Sequence, residues 1–284
     1  MRKLATSVLA AALGASALLA PSAAEAQEIQ LTGPLAGAPA TKKLRMYREG
    51  RFEIAPTVSF SLLDEYRRTI LLGARAQYNI KDWISVGVWG GYGLVSLTTD
   101  LTDQVDQIAP RNARTATNVN HDANGKPLAF GDQTAKMQWV LAPQLQFTPF
   151  RGKLAIFQKV FVDTDLYLHG GVAFIGLQER GDCGDSGQKA CSDPASFAVA
   201  SRTAVAPTFG LGLNFYTGEF LSIGVEYRAL PFSWNRGGFD QRGGGNNNKF
   251  PDQKINSDDR TFKFNQMISL AVGFSFPSKP KINE

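Results

Sequence analysis

The sequence predicts an all-β fold: a small, closed, antiparallel up-and-down transmembrane β-barrel of about eight strands, with long loops at one end. Three features point there. Apolar and polar residues alternate with a period of two in about eight separate segments, the pattern of strands held between two unlike media. The chain opens with the layout of a secretory leader. The connections alternate between short turns and long polar stretches, apart from a short first one on the long side. A mean hydropathy of −0.16 with 43% hydrophobic residues does not argue against a barrel, because half of each strand faces a polar interior. A soluble lipocalin-like barrel would point its apolar face inward, and the leader and long loops fit it less well.

Arg2 and Lys3 precede an apolar, alanine-rich run from Leu4 to Ala20, followed by Pro21 and the small-residue site Ala24-Glu25-Ala26. This is a signal peptide over residues 1–26, with cleavage expected after Ala26. No later stretch offers the roughly 20 uninterrupted apolar residues of a membrane helix, so a membrane-spanning chain would have to span as a barrel. Residues 27–50, rich in Gly, Pro and Ala near their start, form a periplasmic lead-in that docks under the barrel. The barrel itself runs over 51–276, and 277–284 trail as a periplasmic tail.

In the first strand, from Arg51 to Leu62, Phe52, Ile54, Pro56, Val58, Phe60 and Leu62 face lipid and Glu53 faces inward. The second, near 68–78, turns Ile70, Leu72, Ala74, Ala76 and Tyr78 outward and Arg75 and Gln77 inward. In the third, from Ile84 to Leu94, the inward side is largely glycine around Trp89, which suits a crowded lumen. A long polar segment, 96–134, follows as an external loop. The fourth strand, 136–147, alternates Met137, Trp139, Leu141, Pro143, Leu145 and Phe147 with Gln138, Gln144 and Gln146. The connection 148–159 has room for one short helical turn. The fifth, 160–176, carries Asp163, Asp165, Tyr167 and His169 on its inner face. The cysteine-containing loop 178–202, the sixth strand 205–215, the seventh from Leu221 to Arg228, a long loop 233–260 and a last strand 262–276 complete the ring. Outward aromatics, among them Tyr78, Trp83, Phe147, Phe215, Tyr227 and Phe262, would form the two interfacial girdles.

An eight-stranded barrel encloses a space that side chains fill, whereas open channels belong to barrels of about 16 strands. The inward charges are Glu53, Asp163, Asp165 and Glu226 against Arg75, Lys136, Arg228 and Lys263, with His169 among them. Their formal charges cancel, so they are expected to pair, since an unpaired buried charge would cost several kcal/mol. The expectation is a polar plug rather than a pore.

Cys183 and Cys191 flank a short polar stretch, and in an oxidising compartment they are expected to form a disulfide. No metal site or cofactor is indicated: a zinc site would need two further ligands, and His121 and His169 lie in different segments. The loop aspartates, including Asp100, Asp103, Asp106, Asp182, Asp185, Asp258 and Asp259, match no calcium-loop spacing. A general-base pairing of His169 with Asp165 on one inner face is sterically open, yet no nucleophile can be assigned by spacing. No catalytic residue is therefore expected. The formal charge of +5 comes without a basic cluster interleaved with aromatics, so no nucleic-acid partner is expected.

The last strand ends with Ser269-x-Ala271-x-x-Phe274-x-Phe276, which resembles the C-terminal signal read by the outer-membrane barrel assembly machinery, with Ala271 where the usual glycine stands. The opening motif, Leu31-Thr32-Gly33-Pro34-Leu35-Ala36-Gly37-Ala38-Pro39 followed by Leu44-Arg45-Met46-Tyr47-Arg48-Glu49-Gly50-Arg51-Phe52-Glu53, resembles the start of the outer membrane β-barrel domain family of the myxobacterial (delta-proteobacterial) type. That resemblance implies the fold and a Gram-negative outer membrane, and supplies no catalytic residues. The expected task is that of a structural or interaction scaffold in the cell envelope, with outer-membrane lipid and the assembly machinery as partners and an envelope protein complex as a further one. A narrow channel for small solutes or ions is the alternative, and a membrane-embedded enzyme a third reading.

Overall fold

Alternation along the chain sets the architecture. In the computed structural model, which describes residues 47–108, 120–121, 127–156, 160–181, 198–243, 252 and 255–278, eight long strands close into one ring. They are β1 (Phe52–Leu62), β2 (Arg67–Lys81), β3 (Ile84–Thr98), β6 (Lys136–Ile156), β7 (Val160–Gly181), β8 (Ala198–Tyr216), β9 (Leu221–Trp234) and β10 (Thr261–Phe276). The two intervening strands, β4 (Asn120–His121) and β5 (Pro127–Leu128), make a separate small ribbon. Around the ring the order is β1, β10, β9, β8, β7, β6, β3, β2, with every neighbour antiparallel and β2 returning to β1. The expected signal peptide, most of the lead-in, the tail from 279, His121's side chain and both cysteines lie outside the described residues.

One end of the barrel, here termed the base, carries residues 47–51, the turn at Asp82–Trp83, the turn 217–220 and the exit at Pro277. The opposite loop end carries the turn 63–66, helix α1 (Asp100–Ile108), the one-turn helix α2 (Phe130–Gln133) and the segment 235–243.

β1 shows why the chain folds this way. Phe52, Ile54, Val58 and Phe60 are exposed, while Glu53, Ala55, Thr57 and Ser59 between them are buried. The same exposure of apolar residues recurs around the ring, for example at Leu72, Val86, Leu145, Leu168, Leu211, Ile223 and Leu270. A contiguous outward apolar band of this extent is the lipid-facing belt of a transmembrane barrel. At its base edge Phe52 pairs in register with Tyr78 and with Phe276, Trp83 meets Phe147 edge-on at 6.0 Å, and Phe220 packs on Phe274 and Phe276 at 5.6 and 5.4 Å. Tyr227, expected in a girdle, instead stands mid-barrel opposite Leu211 and Ile268.

Most strands outrun the sequence reading, β6 by the most. The helical turn given room at 148–159 is absent from the described part, 148–156, because β6 continues to Ile156 and pairs with β7 down to Val160. The ladder there sets Arg151 opposite Asp165 and Lys153 opposite Asp163, cross-strand charge pairs that favour continued pairing. A register shift between Phe147 and Phe150 breaks the alternation at Thr148-Pro149, and that break reads in sequence as a strand end. A second shift between Met137 and Trp139 moves Met137 to the interior, against the outward position its spacing predicts. At the loop end β7 and β8 stay paired up to Gly181 and Ala198.

The interior is not polar throughout. Towards the loop end it is an apolar core of Leu71, Trp89, Met137, Val140, Ile175, Leu177, Leu230, Phe232, Trp234 and Met267. Towards the base it is charged. Runs such as Leu71-Leu72, Val140-Leu141 and Phe174-Ile175 supply apolar residues to both faces at once. Each large side chain withdrawn from water in that core contributes about 1.5–3 kcal/mol.

Candidate functional site: the closed lumen

Below the apolar core the strands converge their charges on one group. Glu226 of β9 receives Arg75 of β2 at 3.0 Å, Arg228 at 2.5 Å and the Tyr167 hydroxyl at 2.9 Å, with His169 Nε2 at 3.6 Å. Arg75 also donates to Glu53 at 2.9 Å and to the Tyr167 hydroxyl. Arg228 donates to Gln144 Oε1 at 2.7 Å and Thr208 Oγ1 at 3.1 Å, and its guanidinium stacks 4.6 Å from the Trp89 ring. These groups are almost fully withdrawn from solvent: Glu53 is 1% exposed, Glu226 3% and Arg228 0%. At that depth the arrangement holds because the charges are paired with one another, Glu226 most heavily.

A second layer closes the base. Arg48, from the segment before β1, enters the lumen mouth and lies 3.3 Å from Asp165, with Arg151 at 3.7 Å on the other side of that carboxylate. Arg48 also donates to Thr148 Oγ1 at 2.9 Å and to the Asp82 carbonyl at 2.8 Å. Asp82 clamps the same segment: its Oδ1 accepts the backbone N–H groups of Arg48 and Glu49 at 2.7 and 3.1 Å, and its Oδ2 pairs with Arg151 at 3.1 Å. Burial pushes the Asp82 carboxyl up, but those backbone donors and the Arg151 guanidinium outweigh it and hold the group below its ordinary range. Arg51 donates to the carbonyls of Pro277, Ser278 and Glu219, tying the chain before β1 to the chain after β10.

The loop end is capped by protein. Phe130 of α2 is fully buried, stacked on Phe239 at 5.4 Å and edge-on to Tyr66 at 5.5 Å. Arg67 donates to Gly131 O and to Thr134 Oγ1, and Arg180 to Gln133 Oε1 at 3.0 Å and Gly238 O at 3.1 Å. Glu179 takes Arg202 in a two-bonded fork at 2.8 and 3.0 Å and accepts Asn235 N. Asp64, in the turn before β2, lies 3.8 Å from Arg236. Burial raises its carboxyl to about 6, against the pull of that guanidinium.

Of the expected lumen charges, Glu53, Arg75, Glu226, Arg228 and His169 meet at the centre. Asp165 joins the base layer, and Asp163 stands opposite Lys153 in the ladder beside it. Lys263 pairs with Glu65 at 3.3 Å on the loop-end rim, and Lys136 stands at the loop-end start of β6, before the Met137 bulge. The proposed His169 and Asp165 pairing does not form: the imidazole turns to Glu226 and the Tyr227 carbonyl, while Asp165 faces arginines. Of the residues expected to form an assembly signal, Ser269 and Ala271 point inward, Ser269 Oγ sharing a 2.7 Å hydrogen bond with Ser59 Oγ, and Phe274 and Phe276 point outward. Sequence reasoning missed Arg48, Arg51, Arg151 and Asp82. The first two lie in the opening motif itself, where charged residues among Gly and Tyr carry no strand period.

No family matches the chain, and no curated protein matches it. Among solved structures, the N-terminal β-barrel domain of OprF from Pseudomonas aeruginosa is similar at 10% identity with a TM-score of 0.40, over 80% of this chain and 98% of that one. The outer membrane protein OprG of the same organism is similar at 11% identity and 0.40, over 82% and 99%. Ail, the attachment invasion locus protein of Yersinia pestis, is similar at 13% and 0.31, over 80% and 99%.

Proposed function

We propose that this protein is a sealed barrel of the Gram-negative outer membrane, acting as a structural or interaction scaffold of the cell envelope rather than as a pore. One observation carries the reading: the lumen is occluded three times over, by the ion-pair layer at the base, by the Arg75, Glu226 and Arg228 cluster, and by the apolar core under the loop cap. The apolar belt supplies the membrane, and the leader supplies the route to it. In this reading the base faces the periplasm and the loop end faces outward, so the loops and the lead-in are the surfaces left to meet partners. Membership in the myxobacterial-type family is part of the same proposal. Its support is that Arg48 and Arg51 of the quoted motif have defined structural duties at the base.

Conductance of the purified protein in planar bilayers tests the reading. A sealed scaffold leaves the bilayer at its basal leak at moderate voltage. Reproducible unitary steps would overturn it and favour the narrow channel.

A further inference from the structure

We infer that the lumen encloses a chamber for bound water between its two ion-pair layers, lined by Gln77, Gln146 and Asn214. The inference rests on the closed lumen described above. Gln77 and Gln146 are each 2% exposed and Asn214 0%. In all three, both the amide oxygen and the amide nitrogen lack a hydrogen-bond partner in the protein. A buried primary amide left so would be costly, and native interiors satisfy such groups with protein or with ordered water.

The ladder gathers the three into one zone. Gln77 stands beside Glu53 and Gly87, Gln146 beside Ser85 and His169, and Asn214 beside Asp165 and Gly224. Glu53 Oε2 and His169 Nδ1, on its border, are likewise without a partner. Glycines keep side-chain carbon out of this zone. A Cβ at Gly224 would come 2.7 Å from Asn214 Oδ1, and one at Gly273 would come 2.3 Å from Ser222 Oγ and 3.1 Å from Glu53 Oε1.

The occupant must donate and accept in equal measure, because each orphaned amide offers both. It must also be neutral. Above the chamber Glu53 and Glu226 balance Arg75 and Arg228, and below it Asp82 and Asp165 balance Arg48 and Arg151. An ion entering would shed its hydration without meeting a net opposite charge. Water meets every requirement and brings the two to four hydrogen bonds that a buried site needs.

The test uses the full folded protein in deuterated nanodiscs, with Asn and Gln side chains labelled for nuclear magnetic resonance. Cross-relaxation from long-lived water is expected at the side-chain amides of Gln77, Gln146 and Asn214. Asn265 is the internal control: it donates to Leu230 O at 3.0 Å and accepts from Trp234 and Arg236 at 3.1 and 2.6 Å, so its amide should show none. Water signals absent at the three amides would overturn the chamber, as would equal signals at Asn265. Failure here leaves a non-conducting barrel intact, whereas unitary conductance with these signals present would break the seal and keep the chamber.

Discussion

Arg75 and Glu226 meet at 3.0 Å from strands that are not neighbours in the ring, β2 and β9, so their ion pair crosses the lumen. Side chains crossing in this way brace the ring against its own diameter, which strand pairing around the wall does not do. Replacing Glu226 with Gln would leave Arg228 and part of Arg75 buried without their counter-charge. The expected loss is roughly 3–5 kcal/mol, the usual cost of breaking one partner out of a buried pair. Urea unfolding from lipid vesicles measures it, and a loss under about 1 kcal/mol would show that the lumen is wetter than described.

The two faces of β8 give a sharper contrast. Leu211 points to lipid and Gly210 to the lumen, where a Cβ would come 2.6 Å from His169 Nε2 and still closer to the Tyr227 carbonyl. Leu211→Ala should be mild, and Leu211→Arg should cost about 2–4 kcal/mol at mid-membrane depth. Gly210→Ala, a smaller change, should be more damaging than Leu211→Ala through clash alone. Comparing the heat-modifiability of the folded bands in gels would show it, and equal tolerance would refute the assigned faces.

Asp64 makes the loop end sensitive to pH. Its carboxyl titrates near 6 when folded, raised by burial, and near 3.9 in an unfolded chain. The folded state therefore holds the proton more tightly. Stability is fully present at low pH and falls as pH rises from about 4 to 6, by at most about 3 kcal/mol. Asp64→Asn should flatten that window. Protease nicking of the loops between pH 4 and 7 reports it, and an unchanged slope in the variant would assign the effect elsewhere.

Cys183 and Cys191 lie in a stretch whose flanks are brought together by the pairing of Gly181 with Ala198. We propose a disulfide between them. Thiol labelling of unreduced, denatured protein is expected to find no free thiol, and two labelled cysteines would overturn it. Reduction should leave barrel stability nearly unchanged, since the closed hydrogen-bond ladder carries it.

The barrel was legible because a period of two is a direct image of a wall with unlike sides. Glu53, Arg75, Glu226 and Arg228 could be placed indoors on that ground alone. The period says nothing where both faces are apolar: Trp89 reads as inward, but Leu71, Val140, Ile175 and Leu230 around it carry no polar mark, and Met137 reads as facing lipid. Bulges defeat it too: one extra residue at Met137 or Thr148 inverts every later assignment until the next landmark. Arg48 was beyond its reach altogether, since a side chain that fills the lumen from outside the sheet leaves no periodic mark.

Arg51 has a bearing on how the ring comes to be shut. Its guanidinium sits just ahead of β1, and two of its acceptors, the carbonyls of Pro277 and Ser278, follow β10 directly. Those acceptors exist as a set only when the first and last strands have already met. While the sheet is still open, the same donors are left to water. The residue is thus a latch whose engagement coincides with the final seam, and it makes closure of this barrel an event with a distinct chemical signature at its base.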